Sequence, residues 1–296
     1  MDIVNILLPD FSLILFGALL FRVTNWTREF WTGAEKLVYY VLFPALLFYS
    51  TSRAPLDFAA TGEVLQIALA ATVGGMLLGW LAKPLFRPGP MVFESGVQTA
   101  FRFNSYIALA VAGRLGDGSG ASTIALIIGF AVPLTNMASV YALVEQKGNL
   151  LRELLRNPLL MATLAGVTFN FLGLHLPEAA NVVLSRLGNA SIALGLMMVG
   201  AGLRINGLHA SKAIAAWFIF IKLVAVPALA YFLARWIGLS SLQLQLVVLF
   251  AALPTASSAY VLAVRMGGNG PLVAFLISAG TLMSMLTLPL WLALAS

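Results

Sequence analysis

The sequence predicts an all-α integral membrane protein whose ten helices form two five-helix repeats of opposite orientation. Three observations carry this expectation. The chain of 296 residues is 60% hydrophobic and 9% charged, with a mean hydropathy of +0.95, whereas a soluble domain carries about 25% charged residues. Apolar runs close to the ~20 residues that cross a bilayer recur from end to end. Finally, "ALAVAGRLGDG" at 108–118 and "AYVLAVRMGGN" at 259–269 repeat a phrase at an offset of 151 residues, with Ala108/Ala259, Ala112/Ala263, Arg114/Arg265 and Gly116/Gly267 matching.

Apolar length and polar punctuation place the spans near 3–21, 35–52, 62–82, 91–112, 119–144, 157–174, 179–203, 212–236, 242–264 and 270–293. The first lacks a basic leader and a small-residue cleavage site, so it reads as a retained helix and not a signal peptide. The second carries Pro44 and a polar end at Tyr49, Ser50 and Thr51. The third contains Gly75-xxx-Gly79, a spacing that lets helices approach closely. The fourth holds the polar run "QTAFRFNSY" (98–106), and the fifth "VPLTNMAS" (132–139) with Pro133, Thr135 and Asn136. The sixth and seventh are placed by length. The eighth bears Lys222, and the ninth is interrupted by "LPTASS" (253–258). The tenth contains Gly280, at the repeat offset from Gly129 of the fifth.

Charge orients these spans. Odd-numbered connectors hold eleven Lys and Arg, even-numbered ones only Arg53, Arg114 and Arg235. Positive charge stays on the cytoplasmic side during insertion, so both termini are expected to face the periplasm of a bacterial inner membrane. Five spans per half is an odd number, so residues 1–150 and 151–296 enter the membrane in opposite senses. Such inverted repeats characterise secondary transporters, with the site near the midplane. Trp26, Trp31, Trp80, Trp236 and Trp291 near span ends read as interface anchors.

Composition also excludes chemistries. With no Cys there is no thiolate or disulfide, and His175 and His209 are too far apart in sequence to suggest a metal site. The net charge of +6 is spread thinly, without the basic run that nucleic acid would need. No HExxH, GxSxG or phosphate-binding loop is present, so neither an enzyme nor direct ATP drive is expected.

The candidate site lies at the two polar interruptions. At the 151-residue offset Asn104 matches Thr255 and Phe103 matches Pro254. Pro254 lacks an N–H and displaces the carbonyl four residues earlier, so the helix unwinds there. Broken backbone at membrane depth is tolerated only inside protein or along a watery cavity, and its freed groups can hold a ligand. Candidate substrate contacts are Arg102, Asn104, Ser105, Pro254, Thr255, Ser257 and Ser258, with Asn136 completing the site from the fifth span. Small polar residues of this kind also serve as ordinary interhelical hydrogen-bonding groups. Arg102 either counters a substrate carboxylate or pairs with Glu94. Glu94, Gln98, Gln66 and Lys222 are candidates for an ion or coupling site, Lys222 alternatively snorkelling to an interface.

Ten spans in two inverted fives, outward termini, polar interruptions in spans four and nine, and Pro254 at the second resemble the auxin efflux carrier family of bacterial permeases. That family is related to the plant PIN-FORMED carriers and to malate and malonate permeases. The resemblance implies the broken, crossed-helix fold shared with bile-acid symporters and sodium/proton antiporters, and an elevator-type carrier. Spans 1, 2, 6 and 7 would form a dimerising scaffold, and spans 3–5 and 8–10 the moving transport unit. It further implies that Asn104 holds a substrate carboxylate and that Asn136 contributes from the fifth helix. The chain departs from the family in having no Pro at the first interruption and no buried carboxylate in the third span, where Gln66 stands instead.

The resulting expectation is a secondary transporter of a small organic anion such as malate, malonate or an auxin-like monocarboxylate, needing no cofactor beyond a coupling proton or sodium ion. The rival readings are a cation/proton antiporter, which would need buried carboxylates, and a sodium-coupled bile-acid-type symporter.

Overall fold

The computed structural model of the chain describes residues 3–53, 58–115, 119–143, 158–203, 212–256 and 258–296. Among the described residues the regular structure is entirely helical. Among the described residues, five helical stretches are long and apolar enough to cross a membrane: Thr61–Phe86, Gly120–Leu143, Glu178–Ala201, Lys212–Ile237 and Gly270–Ala295. The chain divides into two compact units.

The first unit comprises Met1–Gly62, Tyr106–Pro133 and Asn149–Ala201. It holds α1 (Ile3–Val23), α2 (Arg28–Leu37) and α3 (Phe43–Ser52). Thr27 starts α2 by accepting a hydrogen bond from the Phe30 amide. Glu29 in its first turn and Lys36 in its last suit the helix dipole. The second helix therefore begins at Arg28, seven residues before the expected 35, because a capped amphipathic turn extends it beyond the apolar run. A π-turn at Val38–Leu42 joins α2 to α3 just before Pro44. The proline has no N–H and its ring crowds the carbonyl four residues back, and the wide turn absorbs both.

Small residues let the helices of this unit touch backbone to backbone, the usual means of association where lipid gives no hydrophobic drive. Against α10 (Glu178–Ala201), a Cβ on Gly17 would overlap the Met197 backbone, and one on Gly200 would overlap Ile14. Gly166 of α9 (Pro158–Phe171) sits against Phe48 and Thr51 of α3. Asn170 Nδ2 donates to the Thr51 carbonyl at 2.9 Å. Tyr106, in α7 (Ser105–Ala112), packs on the Phe43 ring at 4.6 Å and over Gly195.

The second unit comprises Glu63–Ser105, Leu134–Gly148 and Gly202–Ser296. In chain order it contains most of α4 (Phe58–Trp80), then α5 (Ala82–Phe86), α6 (Pro90–Gly96) and a 3-10 turn at Val97–Ala100. The end of α8 (Ser119–Leu143) follows, then α11 (Lys212–Phe220), a π-turn at Ile221–Ala225 and α12 (Val226–Ile237). The unit closes with α13 (Ser241–Ala252), α14 (Ser258–Arg265) and α15 (Gly270–Ala295). Ser240 and Gln243 form a reciprocal capping box at the start of α13.

Two features of this unit position the site. Gly75 and Gly79 seat the 3-10 turn: a Cβ on Gly75 would lie 3.1 Å from the Ala100 carbonyl oxygen, and one on Gly79 3.2 Å from Val97 and Ala100 side chains. The Gly75-xxx-Gly79 motif thus packs against the turn that precedes the first break. The second feature is the π-turn before Pro227. This proline leaves the Leu223 carbonyl without its helical donor, and Trp291 Nε1 supplies one at 2.9 Å.

The tryptophans are not all interface anchors. Trp236 is exposed, but Trp31 is buried, Trp80 stacks on Phe101 and Trp291 directs its N–H at Leu223. Pro133 of the fifth span lies within helix α8.

Candidate functional site at the two helix breaks

The first break forms without a proline. The amides of Phe101 and Arg102 both point at the Gln98 carbonyl, at 3.3 and 3.0 Å, closing a tight turn that ends the helix. Phe101 then departs from helical backbone (φ −131°, ψ −18°). Trp80 stacks on the Phe101 ring at 5.8 Å and Phe103 meets Phe250 at 4.6 Å. Aromatic packing therefore fixes the irregular residues 101–104, and α7 resumes at Ser105.

The second break is dictated by sequence. Leu253 precedes a proline, which disfavours the helical region, and takes an extended conformation (φ −59°, ψ 141°) as α13 ends. Helix resumes with α14 at Ser258.

The two breaks bond to each other. The Asn104 amide donates to the Pro254 carbonyl at 2.8 Å. Thr255 Oγ1 donates to the Thr99 carbonyl at 2.7 Å. Arg102 Nη2 donates to Ser258 Oγ at 3.0 Å. Arg102, Asn104 and Thr255 are 8%, 1% and 3% exposed. An ionised guanidinium this deep is costly unless partnered, and at membrane depth it marks a substrate or ion path by default. With the Asn104 amide group alongside, and the N-terminal end of α14 beginning at Ser258, the cluster offers donors of the kind that receive an anion.

Beside the breaks, Lys222 is 4% exposed and donates Nζ to the Ala251 carbonyl at 3.0 Å. A cavity of about 10 Å³, lined among others by Thr99, Lys222, Thr255 and Gly280, has room for about one water. The snorkelling alternative for Lys222 is thereby replaced by an inward orientation. Gln98 is fully buried; its Nε2 donates to the Ser95 carbonyl at 3.2 Å, while its Oε1 meets no donor among the described residues.

The structure thus brings together Arg102, Asn104, Pro254, Thr255 and Ser258. Ser105 is half-buried at the first turn of α7. Asn136 is half-buried on α8 and makes no hydrogen bond among the described residues. Glu94 is half-buried and unpaired with Arg102, whose guanidinium is directed to Ser258 instead. Gln66 is exposed on α4, on the face away from the unit's interior. Ser257, Gly116 and the connector at 145–157 lie outside the described residues.

Two residues escape a reading of the sequence. Thr99 enters the site through its backbone carbonyl, for which no side-chain signal exists. Arg186, in the first unit, lies inside the apolar run of α10 with its side chain exposed; a charge within a span is the signal that marks it.

Residues 120–292 match the family model described as "Membrane transport protein". The chain is 26% identical over 288 residues to an "Uncharacterized transporter" of Methanothermobacter thermautotrophicus, covering 94% of each protein. Over 286 residues it is 25% identical to a Rhizobium meliloti protein named "Putative malonate transporter", covering 90% of this chain and 87% of that one. It is 24% identical over 300 residues to the "Uncharacterized transporter YfdV" of Escherichia coli K12, covering 96% of this chain and 95% of that one.

Proposed function

The chain belongs to the membrane transport protein family, the auxin efflux carrier type of permease, and from that premise we propose that it is a secondary transporter of a small organic anion. The substrate class is a mono- or dicarboxylate, with malonate and malate as the first candidates. The bond from Asn104 to Pro254 carries this reading. It joins two interrupted helices at equivalent places in the two halves and brings the Arg102 charge into the same buried cluster. The name of the rhizobial relative agrees with a dicarboxylate.

In this reading ten spans form two inverted repeats, and both termini face the periplasm. The substrate's carboxylate is held by Arg102 and Asn104 near mid-membrane, with Thr255 and Ser258 supporting. Alternating access comes from elevator-like movement of spans 3–5 and 8–10 on a dimeric scaffold of spans 1, 2, 6 and 7. Favouring an anion over a cation as cargo is the sign of the site: its charged members, Arg102 and Lys222, are both basic, and Glu94 stays outside the cluster.

The test is uptake into liposomes containing the purified protein, offered labelled malonate, malate, a monocarboxylate and indole-3-acetate in turn. Saturable uptake of one anion, lost in Asn104→Ala, is the expected result. Absence of any carboxylate flux, with sodium or proton flux in its place, would reject the anion reading in favour of an antiporter.

A further inference from the structure

A carrier built on broken helices commonly holds its coupling cation at a half-helix C-terminus, where carbonyls have lost their helical donors. The last four carbonyls of any helix are in that condition and form the negative end of its dipole. In this chain Ala251 belongs to that set, since α13 ends at Ala252. Its carbonyl is taken by Lys222 Nζ at 3.0 Å.

We infer that the Lys222 ammonium is a tethered cation standing where a coupling metal ion would otherwise bind, so that the protein holds no sodium at this place and works without it. The inference rests on the carrier reading above and specifies its coupling.

Four observations support it. Lys222 sits on a π-turn, the kind of helix irregularity often found at functional places. It is buried, and Ala251 is its hydrogen-bond partner among the described residues. Apart from α11 and α12, which continue the same helix on either side and bring only Lys212 and Arg235, the elements packed most extensively against its turn, namely α13, α15 and the 3-10 turn at 97–100, contain no charged residue in their sequences. No carboxylate on them therefore explains why a lysine is kept here. Lastly, the adjoining cavity of about 10 Å³ has room for about one water and joins Lys222 to Thr99 and Thr255 at the breaks. A sodium ion in that space would lie within about 4 Å of the ammonium, and repulsion at an effective dielectric constant of about 20 lowers its affinity about a thousandfold.

The decisive measurement needs no substrate. Thermal stability of the purified protein is compared in sodium chloride and choline chloride, for the wild type, Lys222→Ala and Lys222→Gln. The wild type is expected to melt at the same temperature in both salts. A folded Lys222 variant, its cation position vacated, is expected to gain about 4 °C or more in sodium or in methylammonium.

A sodium-dependent rise in the wild type overturns the inference, and so does a folded variant indifferent to every cation. Should both variants fail to fold, the wild-type comparison alone still decides. In liposomes, wild-type malonate exchange is expected to be equal in sodium and choline, whereas Lys222→Ala falls at least tenfold in choline and recovers in sodium or methylammonium. If the wild type moves no carboxylate at all, the anion reading fails, yet the melting temperatures still decide separately whether Lys222 occupies a cation's place.

Discussion

The amide of Asn104 donates to the carbonyl of Pro254 across 2.8 Å, tying together two helix breaks 150 residues apart in the chain. The bond is made by Asn104's backbone and not by its side chain. A substitution can therefore remove the side chain and leave the junction intact.

Asn104→Ala is accordingly expected to fold and to elute as the wild type does from a size-exclusion column. Its initial rate of malonate uptake is expected to fall at least tenfold, about 1.4 kcal/mol of lost stabilisation. Unchanged uptake would remove Asn104 from the site.

Arg102 separates charge from shape. Arg102→Lys keeps the positive charge but loses the planar fork that pairs with a carboxylate. It is expected to retain transport with a raised KM, whereas Arg102→Ala loses uptake. Equal behaviour of the two variants would mean that the guanidinium holds Ser258 and nothing more.

Thr255 tests the second junction bond. Thr255→Val leaves the Thr99 carbonyl without its donor, a loss of about 1–3 kcal/mol for a buried group. Thr255→Ser keeps the hydroxyl and is expected to melt within about 2 °C of the wild type. Melting curves in detergent make the comparison.

Trp291 and Pro227 form a pair whose effects should not add. Trp291→Phe strands the Leu223 carbonyl and is expected to cost about 1–3 kcal/mol. In a Pro227→Ala background the restored backbone N–H can take that carbonyl, so the same change should cost less. Equal cost in both backgrounds would disprove the assignment of Leu223 as the carbonyl that Pro227 frees.

Two glycines should respond in opposite directions to alanine. A Cβ on Gly75 would come within 2.9 Å of Val226 and 3.1 Å of the Ala100 oxygen, so Gly75→Ala is expected to destabilise by about 1–3 kcal/mol. Gly33 has no neighbour within 4 Å, and Gly33→Ala is expected to stabilise α2 by about 0.5–1 kcal/mol.

Sequence alone made much of this legible, for identifiable reasons. Pro254 announces its break because a missing N–H is a covalent fact. Long apolar runs set the helices, and the observed bounds fall close to the expected ones except at α2, where a polar amphipathic start was hidden inside a connector. The break at 101–104 was suggested by its polar residues, but its cause lies in Trp80 and Phe250, distant in sequence and invisible to local reading. Gln66 stood out for polarity in the third span, yet helical phase turns it outward. Both π-turns were illegible, since a wide turn leaves no compositional mark beyond the proline that follows. The twofold meaning of Trp291, apolar ring and buried donor, depends on a carbonyl 68 residues away.

The two breaks differ in what enforces them, and that difference gives them unequal futures outside the protein. Residues 101–104 retain every backbone N–H, so only their neighbours keep them unwound. A synthetic peptide of residues 90–112 in lipid bicelles would therefore rewind into one straight rod. A peptide of residues 241–265 would keep its bend at Pro254, because its interruption is written into the covalent chain.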